Sequence, residues 1–186
     1  MRILGISGSL RRDSYNTKLL RAAEELLPAF VELEVWDGLK EIPPYDEDDD
    51  VEPAPRAVAA LRDAVAQADA VLFATPEYNS SVPGQLKNAV DWVSRPLTTN
   101  ALRNKPVLVV GASTGAFGAV WSQAELRKVL GTTGARVVDA EVAVGHAPTK
   151  FDDEGSLQDE DLRDQLREAL DMLLAETPAQ YLALAV

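Results

Sequence analysis

Three segments of the sequence gather side chains suited to holding a flat, phosphorylated molecule. The first, Ser7-Gly8-Ser9-Leu10-Arg11-Arg12-Asp13-Ser14-Tyr15-Asn16, offers hydroxyls at Ser9 and Ser14, an amide at Asn16 and a guanidinium at Arg11. It opens onto a segment of helical period, and the exposed N–H groups and positive dipole end of a helix N-terminus bind phosphate. It matches neither G-x-G-x-x-G nor a Walker loop, which points to a mononucleotide rather than a dinucleotide or nucleoside triphosphate. The same residues also read as a serine-rich helix cap, with Ser14 as N-cap. The second segment, Thr75-Pro76-Glu77-Tyr78-Asn79-Ser80-Ser81-Val82-Pro83-Gly84, is stiffened by its prolines and carries one aromatic face at Tyr78 and one amide at Asn79. Such a loop can hydrogen-bond the edge of a heteroaromatic ring, or can be an ordinary turn ended by Pro83 at the first turn of a helix. The third, Gly111-Ala112-Ser113-Thr114-Gly115-Ala116-Phe117-Gly118, has glycines that let backbone approach a ligand closely, or simply bend.

The three loops matter together only if the fold brings them to one place. Apolar runs alternate five times with segments of helical period, and the strand candidates are Ile3–Ile6, Val31–Trp36, Ala70–Ala74, Val107–Val110 and Val137–Val144. Strict alternation of this kind predicts a parallel sheet covered by helices on both faces. The first, third and fourth runs are continuously apolar, as strands buried on both faces must be. The second places Glu32 and Glu34 between Val31, Leu33 and Val35, and the fifth places Asp139 and Glu141 between Val138, Ala140 and Val142. Charged alternation suits sheet edges. The expected architecture is therefore α/β, a flavodoxin-like three-layer sandwich with a five-stranded parallel sheet in the order 2-1-3-4-5. In that order the topological switch lies between strands one and three, and all three loops meet over the carboxyl ends of strands one, three and four.

Composition narrows the function classes. The 186 residues are 46% hydrophobic and 26% charged, as expected of one folded domain over 1–186 and not of a disordered chain. Eighteen basic residues against 30 acidic ones give a net charge of −12. Such a surface repels phosphate backbones, so no nucleic-acid partner is expected. The absence of cysteine excludes disulfides, thiolate metal sites and cysteine-ligated iron–sulfur clusters. His146, the single histidine, excludes a His-rich metal centre. No apolar run approaches the roughly 20 residues that span a bilayer, and the N-terminus lacks the apolar core of a signal peptide. A cytoplasmic protein with no membrane partner is the expectation. The acidic run Asp46–Asp50 lacks the glycine and spacing of a calcium loop and reads as a solvated loop. Trp36, Trp92 and Trp121 read as core or interface residues, and Tyr45 either lines an acceptor pocket or anchors its loop.

The stretches Gly8–Asn16 and Pro76–Arg95 resemble the NADPH-dependent FMN reductases of flavodoxin-like fold, a family that includes bacterial quinone, chromate and azo-dye reductases. The resemblance runs from the first strand to the closing helix. It implies bound FMN as cofactor, with the phosphate on Ser9, Arg11, Ser14, Tyr15 and Asn16. The isoalloxazine ring would run along Pro76, Glu77, Tyr78 and Asn79, and its other edge under Ser113 and Gly115. NADPH or NADH is the implied co-substrate, reducing the flavin and leaving before a small-molecule electron acceptor (a quinone, free flavin or azo dye) takes the electrons. That chemistry requires no protein acid or base, so no catalytic residue is expected. A homodimer or homotetramer is implied as well. Where many relatives carry an arginine, this chain has Ala119-Val120-Trp121.

Two other classes compete. Gly111-Ala112-Ser113-Thr114-Gly115 matches G-x-S-x-G, with Asp139 and His146 following in triad order, as in a serine hydrolase acting through Ser113. Five strands are few for such an enzyme, and the first two loops would have no role in it. A flavodoxin-type electron-transfer protein would suit the acidic charge, because such carriers dock on basic partners. Carriers, however, use a Thr/Ser-rich phosphate loop with a Thr-Gly pair, which SLRRDSYN is not.

Overall fold

In a computed structural model that describes residues 1–177, strands β1 (Arg2–Ser7), β3 (Ala70–Thr75) and β4 (Pro106–Ala112) form the centre of the sheet. All pairings are parallel, in the order β2-β1-β3-β4-β5, with β2 being Glu32–Trp36 and β5 Arg136–Val137. Successive side chains of a strand point to opposite faces. Leu72, Leu108 and Val110 therefore meet helices α1 (Tyr15–Leu26) and α5 (Glu160–Ala175). Val71, Phe73, Val107 and Val109 meet α2 (Arg56–Gln67), α3 (Gly84–Val93) and α4 (Val120–Thr132). Both faces being dry is why these three strands contain no charged residue beyond Arg2, at the exposed start of β1. Edge strand β2 exposes Glu32 and Glu34, and Glu34 pairs with Arg2 at 2.6 Å.

The fifth strand differs from its sequence expectation. Instead of one run over Val137–Val144, β4 pairs with β5 and with a second short strand, β6 (Ala143–Val144), and the chain between them leaves the ladder. Val107 faces Val137 and Gly111 faces Ala143, so four steps along β4 match six along its neighbour and two extra residues bulge out. The bulge is held from α4: Arg127 donates to the Ala140 carbonyl at 3.1 Å and pairs with Glu141 at 3.3 Å. Alternation of charge here records the bulge's outer side rather than a continuous edge.

The other features settle into structural roles. Trp92 is fully buried and donates its indole N–H to the Pro43 carbonyl at 2.9 Å, with the Tyr45 ring edge-on at 4.9 Å. Tyr45 thus anchors the loop after β2. The acidic run is tied down as well, with Asp50 pairing with Arg62 at 2.7 Å and Glu47 with Arg95 at 3.3 Å. Replacing Leu72, which has no exposed surface, with alanine should cost about 2–5 kcal/mol, because the central strand cannot collapse into the void. Urea unfolding of the apo-protein measures that loss.

Candidate functional site

The first loop leaves β1 pressed against β3. The Gly8 N–H donates to the Ala74 carbonyl at 2.8 Å, and a Cβ on Gly8 would lie 2.7 Å from Leu86 Cδ2. The Ser9 hydroxyl accepts from the Arg11 N–H at 3.4 Å, and Arg11 is exposed with no ion pair among the described residues. Ser14 caps α1, its Oγ accepting from the N–H groups of Asn16 and Thr17 at 3.2 and 3.4 Å. Asp13, the one acid of this loop, is paired with Lys18 at 2.9 Å. That hydrogen bond and charge hold its carboxyl below the usual carboxylate range. The acid nearest the α1 N-terminus is therefore already paired.

Asn16 behaves as a bracket. Its side-chain amide is buried, donates to the Ala112 carbonyl and accepts from the Ala112 N–H, both at 3.0 Å. One side chain thus ties the first loop to the end of β4.

The second loop is fastened to α4 at several points. Thr75 Oγ1 and Ser122 Oγ lie 2.8 Å apart, and Glu77 Oε2 accepts from the N–H groups of Trp121 and Ser122, each at 3.1 Å. Glu77 supplies the carboxylate that caps α4, whose own N-cap residue, Ala119, has no side-chain acceptor. Tyr78 and Ser81 exchange two backbone hydrogen bonds of 3.2 Å. Between them Asn79 and Ser80 have φ of 53° and 58°, the left-handed pair of a type I′ turn. The third loop lies on the segment after β6. Ser113 N–H donates to the Val144 carbonyl at 3.0 Å and His146 N–H to the Gly115 carbonyl at 2.8 Å. Gly118, at φ 56°, is needed here: a Cβ would come within 2.3 Å of the Ala143 backbone.

These loops enclose a cleft of about 120 Å³ lined by Ser9, Arg11, Ser14, Tyr15 and Asn16, by Pro76, Glu77 and Tyr78, and by Ala112, Ser113 and Thr114. Of the residues singled out in the sequence, only Asn79 and Gly115 lie outside that lining. Thr114 was not anticipated; its type gives no signal apart from its neighbours. Arg11 and Tyr78 also border an adjoining cleft of about 290 Å³ with Gly8, Leu10, Pro83, Gly84 and Gln85. The triad arrangement does not assemble. Ser113 Oγ accepts from the Gly115 N–H at 3.1 Å, and no hydrogen bond among the described residues joins Ser113, Asp139 and His146. Among the described residues no cluster of His, Asp or Glu could hold a metal ion.

A helix N-terminus, a guanidinium with no ion pair among the described residues and two loops fastened to α4 and β6 thus line one cleft at the topological switch point of a flavodoxin-like sheet. The family model of the NADPH-dependent FMN reductases matches residues 1–149. The chain belongs to this family. It is 41% identical over 174 residues to an NAD(P)H-dependent FMN reductase of Pseudomonas aeruginosa, covering 93% of each protein. It is 35% identical over 176 residues to a 2-hydroxy-1,4-benzoquinone reductase of a Burkholderia species, covering 94% of this chain and 95% of that one. Among solved structures, the flavoenzyme NAD(P)H:acceptor oxidoreductase FerB of Paracoccus denitrificans superposes with a TM-score of 0.82 at 32% identity, over 95% of this chain and 99% of that one. Family membership makes the protein an NAD(P)H-dependent oxidoreductase and sets aside the hydrolase reading.

The bracket by Asn16 gives a direct test of the frame. Asn16→Ala leaves the buried N–H and carbonyl of Ala112 without partners and should destabilise the apo-protein by about 2–4 kcal/mol in urea. If Asn16 served only as a ligand, the apo-protein would unfold at the wild-type midpoint.

Proposed function

We propose that the chain holds FMN in the three-loop cleft and moves electrons from NADPH or NADH to small-molecule acceptors, quinones in the first place. The observation that carries this is the cleft at the α1 N-terminus, lined by Ser9, Ser14 and an Arg11 guanidinium that forms no ion pair among the described residues, while the adjacent acid Asp13 is paired with Lys18. A phosphate dianion supplies the missing charge. The donor set fits such a group: the Ser9 hydroxyl, the Arg11 fork and the backbone at the start of α1, with no acid in the helix's first turn. FMN, when bound, supplies a ring that takes two electrons from a nicotinamide and passes them on.

The chain's own residues bind and orient. The fixed backbone of Pro76–Tyr78 presents hydrogen-bonding groups at low entropic cost. Ser113, Thr114 and Gly115, held against the segment after β6, close the opposite side. No side chain is assigned a proton-transfer role. The backbone N–H groups of the loops, rather than a titrating acid, would meet charge on the ring when FMN is bound.

The chain works as one FMN-binding domain, cytoplasmic and homo-oligomeric, dimer or tetramer. Phe117 and Trp121 support the association: their rings meet edge-to-face at 5.0 Å and remain 63% and 48% exposed beside the α4 N-terminus. Solvent-exposed aromatic pairs of this kind are favoured at protein interfaces. Among the described residues no helix is long and apolar enough to cross a membrane.

Three measurements test the reading. The FMN-loaded protein should oxidise NADPH or NADH with a quinone and no partner protein; a carrier-like failure to do so would overturn the enzyme reading. Arg11→Ala should weaken FMN binding by about 1.5–3 kcal/mol, the worth of a charge-assisted hydrogen bond, read by quenching of FMN fluorescence, with the apo-protein's melting unchanged. At the turn, Asn79→Gly should bind FMN like wild type, whereas Asn79→Ala should bind it about fivefold more weakly because alanine resists φ > 0. Equal losses in both variants would mean that the Asn79 amide touches the flavin.

A further inference from the structure

Glu125 lies on the outer side of α4, clear of the cleft, and forms no ion pair among the described residues. Its neighbour Lys87 is engaged instead with Asp91 at 2.7 Å. All of its strong contacts go to the second loop. A single carboxylate oxygen, Oε2, accepts from Ser81 Oγ at 2.6 Å and from the Val82 N–H at 3.2 Å. The two donors hold its carboxyl below the ordinary glutamate range, with Lys128 and Lys87 adding weaker attraction.

Those donors sit where the loop most needs restraint. Ser81 closes the turn in which Asn79 and Ser80 both adopt left-handed backbone, and Ser80 has a side chain that disfavours it. The other end of the turn is Tyr78, whose ring borders both clefts. Upstream, Thr75 and Glu77 are already bound to α4. Beyond the turn's own two backbone bonds and the buried Val82 side chain, Glu125 supplies the side-chain hydrogen bonds that tie the Tyr78–Val82 stretch to α4.

We propose that Glu125 is a positioning residue that acts through Ser81 and Val82 to hold the Tyr78–Ser81 turn, and so fixes Tyr78 at the mouth of the flavin site. The inference rests on the FMN reading of the cleft. A latch of this type works by bond acceptance and not by charge. Glutamine, whose amide oxygen also accepts two bonds, should replace it, and alanine should not.

The test uses the full chain with and without FMN. In Glu125→Ala the Val82 amide should exchange with solvent about tenfold faster in the apo-protein, as expected of a locally opened segment. FMN should bind about fivefold more weakly, the effect of one or two ordinary hydrogen bonds, and the visible absorption of bound flavin should shift. The apo-protein's melting temperature should stay near wild type, because alanine suits an exposed helix position. Glu125→Gln should restore the exchange rate, affinity and spectrum. Glu125→Ala combined with Ser81→Ala should bind FMN no more weakly than Glu125→Ala alone, since both remove the same latch. Wild-type exchange at Val82 in Glu125→Ala, or wild-type FMN affinity and spectrum in that variant, would overturn the proposal. If the wild-type protein takes up no FMN, the cofactor reading falls instead, and exchange at Val82 still decides whether the latch exists.

Discussion

Strands β1, β3 and β4 are hydrogen-bonded in parallel register and buried on both faces, and the carboxyl edge inherits its geometry from that fact. Ser7 pairs with Ala74, and Thr75 with Gly111, so the three strands end at one level. Adjacent strands lie about 4.8 Å apart, which sets the outer two exits roughly 10 Å from each other. Dry interiors accept no unpaired polar group, so hydroxyls, amides and charges are displaced to the loops that begin at this level.

The loops themselves are held by partners distant in sequence. Asn16 spans to Ala112, Thr75 to Ser122 and Glu77 to the start of α4. Each bond satisfies a group that would otherwise lack a partner, so the frame of the site is made of the same hydrogen bonds that complete the fold. Electrostatics follows the same local logic. A chain of net charge −12 repels anions at long range, but screening confines that field to about 8 Å at physiological salt. Within that radius the cleft is lined by the Arg11 guanidinium, the α1 N-terminus and the Glu77 carboxylate, the last held on the α4 N–H groups, while Asp13 is paired with Lys18.

What could be read from the sequence was whatever depends on short-range pattern. Continuous apolar runs identified the three central strands, Glu32 and Glu34 identified the β2 edge, and Ser14 identified the α1 cap, because each signal lies within a few residues of its effect. The fifth strand escaped because its break coincides with long-range contacts from Arg127 on α4, and alternation of charge looks the same on an edge strand and on a bulge. The loop residues were legible as a group but not in their individual duties. Asn16 is spent on Ala112, Glu77 on the α4 cap, and Asn79 on a left-handed turn. Each duty depends on a partner or a φ angle that residue type alone does not specify. Glu125 carried no signal at all, being one more charged residue on an exposed helix face.

A site built mainly from backbone frames has consequences for selectivity. The cleft beside the proposed flavin position is walled by Leu10, Pro83, Tyr78 and Arg11, with Gln85 bonded to the carbonyls of Leu39 and Ile42. Apolar walls separate ligands that differ by a methylene or a hydroxyl by only about 10–200-fold, whereas a site that must satisfy a buried hydrogen bond can separate them by orders of magnitude more. Of the polar side chains lining this cleft, Gln85 is committed to the frame, whereas the Arg11 guanidinium has no ion pair among the described residues and remains available to a ligand. Discrimination then rests on that guanidinium and on shape, and shape at this edge depends on where the Tyr78–Ser81 turn stands.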